Sequence, residues 1–574
     1  MKKIKLRIVK KNYLYFMAIA GLFVAFIGCE KEESTFKAPE ITFIPNQNTC
    51  EQQEGAEVAF VVNLYAEAGL KLLDVTKDGN IFTSKTCQKD ENNLLYDFSY
   101  IVENSYDEGD NIVFNFKLTD QANKTVAQNY TITVAEEPMI TKTIGDKNSA
   151  GTGTVTWSKD TIYILDGFVY VNNGQTLTIE AGTIIKGKPG QAENASALVV
   201  ARGGKIIADG TKDKPVIFTS TNDPVRWKKN ILVNQTELDP TLSAQWGGLL
   251  ILGNAQLNTV PAEQQMEGIP LSETRGLFGG SNDSDNSGIL RYISIRHGGS
   301  LIGADNEING VSFGGVGNGT TIEYVEVFGN LDDGFEFWGG DATYKYLLSA
   351  YNKDDSYDYD TGFRGKGQFW CAIQDPAEGD ELGELDGADN PEDGTPYATP
   401  EIYNATLIGA GVNGSAVLKM RRNAGGFWYN SIFVNQKKGI EIEFNADKTE
   451  TTYDRLFDGD LDVDFNMFYN ITAGNTAEDI YYIALKGNYT ADDSARVNDY
   501  LYNTYVPGLT NQYDVDPEID NNNTVPGINV DFGALKTYPA WSDNATFKGA
   551  FDPNGENWTE GWTLYDAAKK AGLL

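Results

Sequence analysis

The motif Asp-Asp-Gly-Phe-Glu-Phe at residues 332–337 returns 22 positions later as Asp-Asp-Ser-Tyr-Asp-Tyr at residues 354–359. A repeat of this length, built from short β-prone runs broken by Gly, Asn and Asp, is too short for most two-helix repeats and fits one coil of a β-solenoid. The coil extends upstream, where Asn309-Gly310-Val311-Ser312-Phe313 matches Asp333-Gly334-Phe335-Glu336-Phe337. A second register makes Tyr292, Tyr324 and Tyr346 equivalent, and downstream Ile402-Tyr403-Asn404 recurs as Trp428-Tyr429-Asn430. The spacing predicts Asn404 and Asn430 as rungs of an amide ladder, a structural role.

Short strand-like runs at residues 163–171, 175–185, 197–200, 204–210, 216–220 and 246–253 carry the same pattern. Such strands cannot each bury both faces, but stacking at about 4.8 Å per coil closes a continuous core. The fold class expected is all-β: a right-handed parallel β-helix over residues 140–470, closed by a cap and loops over 471–574. Residues 375–400 are rich in Asp, Glu and Gly and read as a loop projecting from the solenoid. Residues 39–137 alternate apolar and polar, as in Ile112-Val113-Phe114-Asn115-Phe116, and predict a separate β-sandwich, which resembles immunoglobulin-like modules and so implies a spacer.

Charge enters at the N-terminus. The formal net charge is −35, yet residues 1–28 hold only basic charges, so the remainder is more acidic still. Such a surface repels nucleic acid and anionic lipid and attracts cations. The basic start, the apolar run 14–26 and Ile27-Gly28-Cys29 form a secretion signal that resembles the lipobox of bacterial lipoproteins. That resemblance implies that Cys29 is the lipidated first residue of the mature chain, with residues 29–38 as a tether. The following Glu30-Lys31-Glu32-Glu33 looks like the surface-export signal of Bacteroidota lipoproteins, which implies an outer-membrane protein facing outward. In an oxidising compartment Cys50 and Cys87 are candidates for a disulfide. His297 is the only histidine, which excludes a histidine-rich zinc site.

Several segments together resemble a family of secreted or lipid-anchored β-helix proteins common in Bacteroidota: residues 246–255, 285–292, 306–310, 332–337 and the stretch from Phe551 to Thr563. The match covers residues 140–574 and implies fold and location without implying an activity.

Between Asp332 and Asp360 stand eight acids against two lysines. Acids stacked about 5 Å apart repel by roughly 1 kcal/mol in water and by several times that in a less polar groove. Three arrangements offset this: solvent exposure on turns, raised carboxyl pKa values in a catalytic pair, or calcium held by Asp332, Asp333, Glu336, Asp354, Asp355 and Asp358. Asp283 and Asp285, alternating before Gly288, form a second calcium candidate. Trp338, Tyr351 and Trp370 are candidate platforms for stacking on sugar rings. The functional reading is a surface lipoprotein that binds a glycan or other nutrient, as accessory to an outer-membrane transporter of the TonB-dependent kind. The alternatives are a calcium-dependent polysaccharide lyase with Arg364, Lys366 or Arg421 as base, a hydrolase using two of the acids, and a structural or adhesive protein.

Overall fold

The computed structural model describes residues 35–135, 140–228, 230–303, 306–520 and 522–574. Cys29 and the signal segment lie outside them. The chain divides at Pro138 into two compact units.

In the first unit, strict alternation puts every second side chain inside, as along Glu57–Tyr65 and Asn111–Asp120. Three strands (Glu40–Ile44, Glu57–Tyr65, Asn93–Ile101) form one antiparallel sheet and five form the other, with Thr49–Gln52 parallel to Thr125–Val134. Between them Phe43, Phe60, Phe98, Phe116 and Tyr130 make edge-on and stacked contacts 4.0–6.0 Å apart. This is the expected immunoglobulin-like sandwich. Cys87 packs into its core and the half-buried Cys50 against it, both as free thiols, so the candidate disulfide is not formed.

The second unit is the parallel β-helix. One face is a ten-stranded parallel sheet whose central members are Val311–Gly314, Phe335–Trp338, Tyr357–Asp360, Glu384–Asp386, Ala416–Arg421 and Lys438–Asn445. Most of the other strands form a second long sheet that bends at a corner where one residue per coil takes the left-handed conformation: Tyr292, Tyr324, Tyr346, Phe369, Asn404, Asn430 and Phe465, with φ between 49° and 61°. The equivalence of the three tyrosines holds, and their rings stack 4.4 and 4.2 Å apart. Asn404 and Asn430 do occupy that column, but their amides do not bond each other. Asn404 Nδ2 donates to Phe547 O, and Asn430 exchanges bonds with the backbone of Lys536. They hold the C-terminal segment, which runs back along this flank.

Two expectations on extent change. Residues 375–400 are not simply a projecting loop, because Glu384–Asp386 is a rung of the ten-stranded sheet between Tyr357–Asp360 and Ala416–Arg421. The coils also continue past residue 470, since Tyr481–Lys486 adds the last strand to the same sheet. The end is then covered by the helix Ala491–Tyr500 and the turns that follow, with Leu501 and Val506 packed on the core.

Candidate functional site

The ten-stranded sheet positions the acids. Alternation turns Phe335, Phe337, Tyr357 and Tyr359 inward, each at most 2% exposed, and turns Glu336 and Asp358 to the outer face. In register, that outer column reads Ser312, Glu336, Asp358, Glu384, Lys419, Glu441 and Tyr482. A second outer column reads Gly314, Trp338, Asp360 and then Asp386 beside Arg421.

The turns leading into these strands carry the remaining acids. Their backbone is held by a ladder of amides that does exist, one corner away from the expected one. Asn330 Nδ2 donates to Asp333 O, Asn330 N donates to Asn352 Oδ1, and Gln374 Nε2 donates to the carbonyls of Asp380 and Glu381. Gly334 is required where this ladder passes, because a Cβ there would lie 2.4 Å from Ser349 Oγ and 2.5 Å from Asn352 Nδ2. The acids themselves continue the stacking. Asp333 N donates to Asn309 Oδ1 at 3.2 Å, Asp355 N to Asp333 Oδ1 at 3.0 Å, and Glu381 N to Asp355 Oδ1 at 2.7 Å. Asp333 and Asp355 thus each cap the next coil with one oxygen and keep the other for the groove, while Asn309 Nδ2 donates to Glu336.

The result is a stripe of carboxylates along three coils. Four triads bring ligand oxygens within 4.8 Å of one another: Asp332, Asp333 and Asp354; Asp333, Glu336 and Asp358; Asp354, Asp355 and Asp380; Asp355, Asp358 and Glu384. Two like charges at that distance repel by about 3 kcal/mol at the effective dielectric of a protein surface. The stripe is neutralised at one end only. Lys419 lies 2.7 Å from Glu384 and 3.1 Å from Glu381, and Arg421 joins Glu384 to Asp386. Among the described residues no lysine or arginine forms an ion pair with Asp332, Asp333, Glu336, Asp354, Asp355 or Asp358. Asp358 Oδ1 is buried with no hydrogen-bond partner. Burial, reinforced by Asp354, pushes Asp332 up to about 7. Burial raises Asp333, Glu336, Asp355 and Asp358 well above the usual carboxylate range, helped by Asp332, Asp333, Asp333 and Glu336 in that order. Hard, clustered oxygens without a counter-ion are the donor set that calcium takes.

The other expected site residues separate. Trp370 is 1% exposed, stacks on Phe337 and Tyr357, and is a core side chain. Tyr351 is 5% exposed and packs on Phe328, so it too offers no surface to a ligand. Trp338 alone of the three stays half-buried on the outer face, beside Glu336, with its Nε1 unpartnered and its ring edge-on to Phe278 at 6.2 Å. Asp283 is not free for a metal, because Arg364 Nη1 lies 3.1 Å away and Gln256 N donates to it. Asp285 accepts from Ser287 Oγ, and neither belongs to an acidic triad among the described residues. The three expected bases are likewise scattered. Arg364 serves Asp283, Lys366 stands on the other long sheet, and Arg421 shares the acidic sheet but is spanned between Glu384 and Asp386. Sequence reasoning missed Asp380, Glu384 and Lys419, because the coil length lengthens from 22 residues to 26 and then 35.

Residues 148–510 match the family model described as a pectate-lyase-like β-helix domain. The chain belongs to that family. The β-helix domain so defined contains the whole acidic stripe. No curated protein matches the chain. Among solved structures, pectate lyase PelI from Erwinia chrysanthemi in complex with tetragalacturonic acid is 10% identical over 70% of this chain and 87% of that one, with a TM-score of 0.10. Fibronectin(III)-like modules of CbhA from Clostridium thermocellum are 13% identical over 17% of this chain, which spans about half (47%) of that one, with a TM-score of 0.14. A Niemann-Pick type C2 protein from the Japanese carpenter ant is 11% identical over 17% of this chain and 90% of that one, again at 0.14. Scores of this size carry no argument about function.

Proposed function

We propose that the protein is a lipid-anchored protein of the outer membrane, facing outward, that binds an anionic glycan through divalent cations held on the acidic stripe. Cys29 carries the lipid, the sandwich is the spacer, and the β-helix presents the binding face. A transporter of the TonB-dependent kind is the partner that fits a nutrient-binding role, and nucleic acid is not a ligand for so acidic a surface. One observation carries this reading: six carboxylates on one face, three of them buried, none of which forms an ion pair with a lysine or arginine among the described residues. A bound calcium ion offsets their repulsion and leaves coordination positions for acidic sugar groups. Asp332, Asp333, Glu336, Asp354, Asp355 and Asp358 would hold the ion. Trp338, on the same face, offers a ring for stacking on sugar. Membership of a pectate-lyase-like family supports a glycan as ligand.

Binding is favoured over elimination chemistry. A lyase needs a base near the metal, and Arg421, alone of the three candidates on that sheet, is engaged by two carboxylates. The test is to strip the protein with a chelator, add calcium or magnesium, and measure retention of polygalacturonate, alginate and neutral dextran. Calcium-dependent retention of the acidic polymers without release of unsaturated products is the expected result. Equal retention with chelator would sink the reading, and product release that is lost in Asp358→Asn would establish the lyase.

A further inference from the structure

A second set of oxygens, at the opposite corner of the same sheet, has no donor. After four strands of the ten-stranded sheet the chain turns through a left-handed residue at one register position: Gly315 (φ 56°), Gly339 (66°), Thr361 (53°) and Arg422 (52°). Glycine takes this conformation at no cost, whereas a β-branched threonine is held there against about 1–2 kcal/mol of strain. Thr361 is fully buried and its Oγ1 bonds to nothing. Asn258, which reaches this corner from the insertion following Trp246–Gly253, is 3% exposed. Its Nδ2 donates to Gly387 O at 2.9 Å and its backbone N to Thr361 O at 3.2 Å, so Asn258 lies beside the threonine. With its nitrogen committed, Asn258 keeps Oδ1 as an acceptor that no donor reaches. Asn423, 2% exposed, repeats the pattern on the next coil. Its Nδ2 donates to Glu392 O, its Oδ1 is unpartnered, and Ala388 N ties that coil to Arg422 O.

A water molecule would satisfy such oxygens, but Thr361 is preceded by a buried carboxylate that forms no ion pair among the described residues. Asp360 is 6% exposed, accepts from Thr361 N, and forms no ion pair among the described residues, whereas the adjacent Asp386 is held by both Arg421 and Arg422. Neutral amide and hydroxyl oxygens beside a single buried carboxylate suit a hard cation of low charge. We propose that Asn258 Oδ1, Thr361 Oγ1 and the Asp360 carboxylate, with Asn423 Oδ1 at the rim, form a structural site for an alkali-metal cation. The ion locks the insertion and the residue 387–396 loop onto the corner. The site is separate from the acidic stripe and does not depend on the function proposed for it.

The experiment uses the full mature chain with a chelator present throughout, so that divalent ions on the stripe do not contribute. Melting temperature is followed while potassium, sodium or tetramethylammonium chloride is added at matched ionic strength. A saturable rise with potassium or sodium, and none with tetramethylammonium, is the expected result. Thr361→Gly removes the hydroxyl and relieves the strain. It should melt no lower than the parent in tetramethylammonium chloride and should lose the alkali-metal response, as should Asn258→Ala. In crystals soaked with thallium(I), an anomalous peak should lie within coordination distance of Asn258 Oδ1 and Thr361 Oγ1. Equal melting in all three salts, an intact response in Thr361→Gly, or water density in place of the anomalous peak would overturn the proposal.

Discussion

Asp358 shows how one side chain decides a region. Its carboxylate belongs to two of the four acidic triads, and one of its oxygens has no partner. Asp358→Asn removes a like charge from both triads, so the chelated variant should melt above the chelated parent and lose most of the stabilisation that calcium gives. Calorimetric scans of both proteins, with and without calcium, check this. The direction of the pH dependence follows from the same burial. Asp332 and Asp360 rise to about 7 and Glu381 to about 6, each chiefly through burial, from ordinary values of 3.8, 3.8 and 4.5. Between about pH 4 and pH 7 the folded chain therefore holds more protons than the unfolded one, and stability falls as pH rises through that window. Chelated protein should show this fall in urea melts across pH 4–7, and calcium should flatten it, since the metal takes the place of the protons. A chelated protein that gains stability over that range would contradict the assignment.

The elements around the stripe are held by buried polar contacts that only the fold creates. Glu326, fully buried, accepts from Ser294 Oγ and from the backbone N of Leu564 and Tyr565, and so caps the C-terminal helix Leu564–Ala571. Arg296 is buried nearby, bonded to the same Ser294 hydroxyl. Glu326→Ala removes the carboxylate that acts most strongly on that guanidinium and leaves the helix uncapped, and should cost about 3–5 kcal/mol in urea unfolding. Glu326→Gln, which keeps an acceptor, should cost less. The two tryptophans divide the roles that sequence reasoning had assigned to both. Trp370→Ala opens a cavity in the core and should cost about 3–5 kcal/mol, whereas Trp338→Ala should leave melting nearly unchanged and weaken retention of acidic glycan.

At the scale of the whole molecule, the sandwich and the β-helix each close their own core. Residues 139–574 expressed alone should fold, keep the calcium-dependent rise in melting temperature, and retain acidic glycan as the full chain does. A fragment that fails to fold, shown by loss of near-ultraviolet circular dichroism, would show that the sandwich is more than a spacer.

The 22-residue return of Asp-Asp and the match of Phe335 and Phe337 to Tyr357 and Tyr359 were enough to reach a stacked β-coil with acids repeated from coil to coil. These are properties of a short period and of strand geometry, and both are written in adjacent residues. The C-terminal half of the stripe was hidden because Glu384 and Lys419 follow Asp358 at irregular intervals, so only backbone pairing shows that they share its column. The fates of Tyr351, Trp370, Arg364 and Arg421 were also beyond the sequence. Whether an aromatic ring faces water, and whether a guanidinium is free or already held by a carboxylate, depends on partners distant in sequence, such as Asp283, 81 residues from Arg364. Local pattern sets which face a side chain takes; only tertiary packing decides what that face meets.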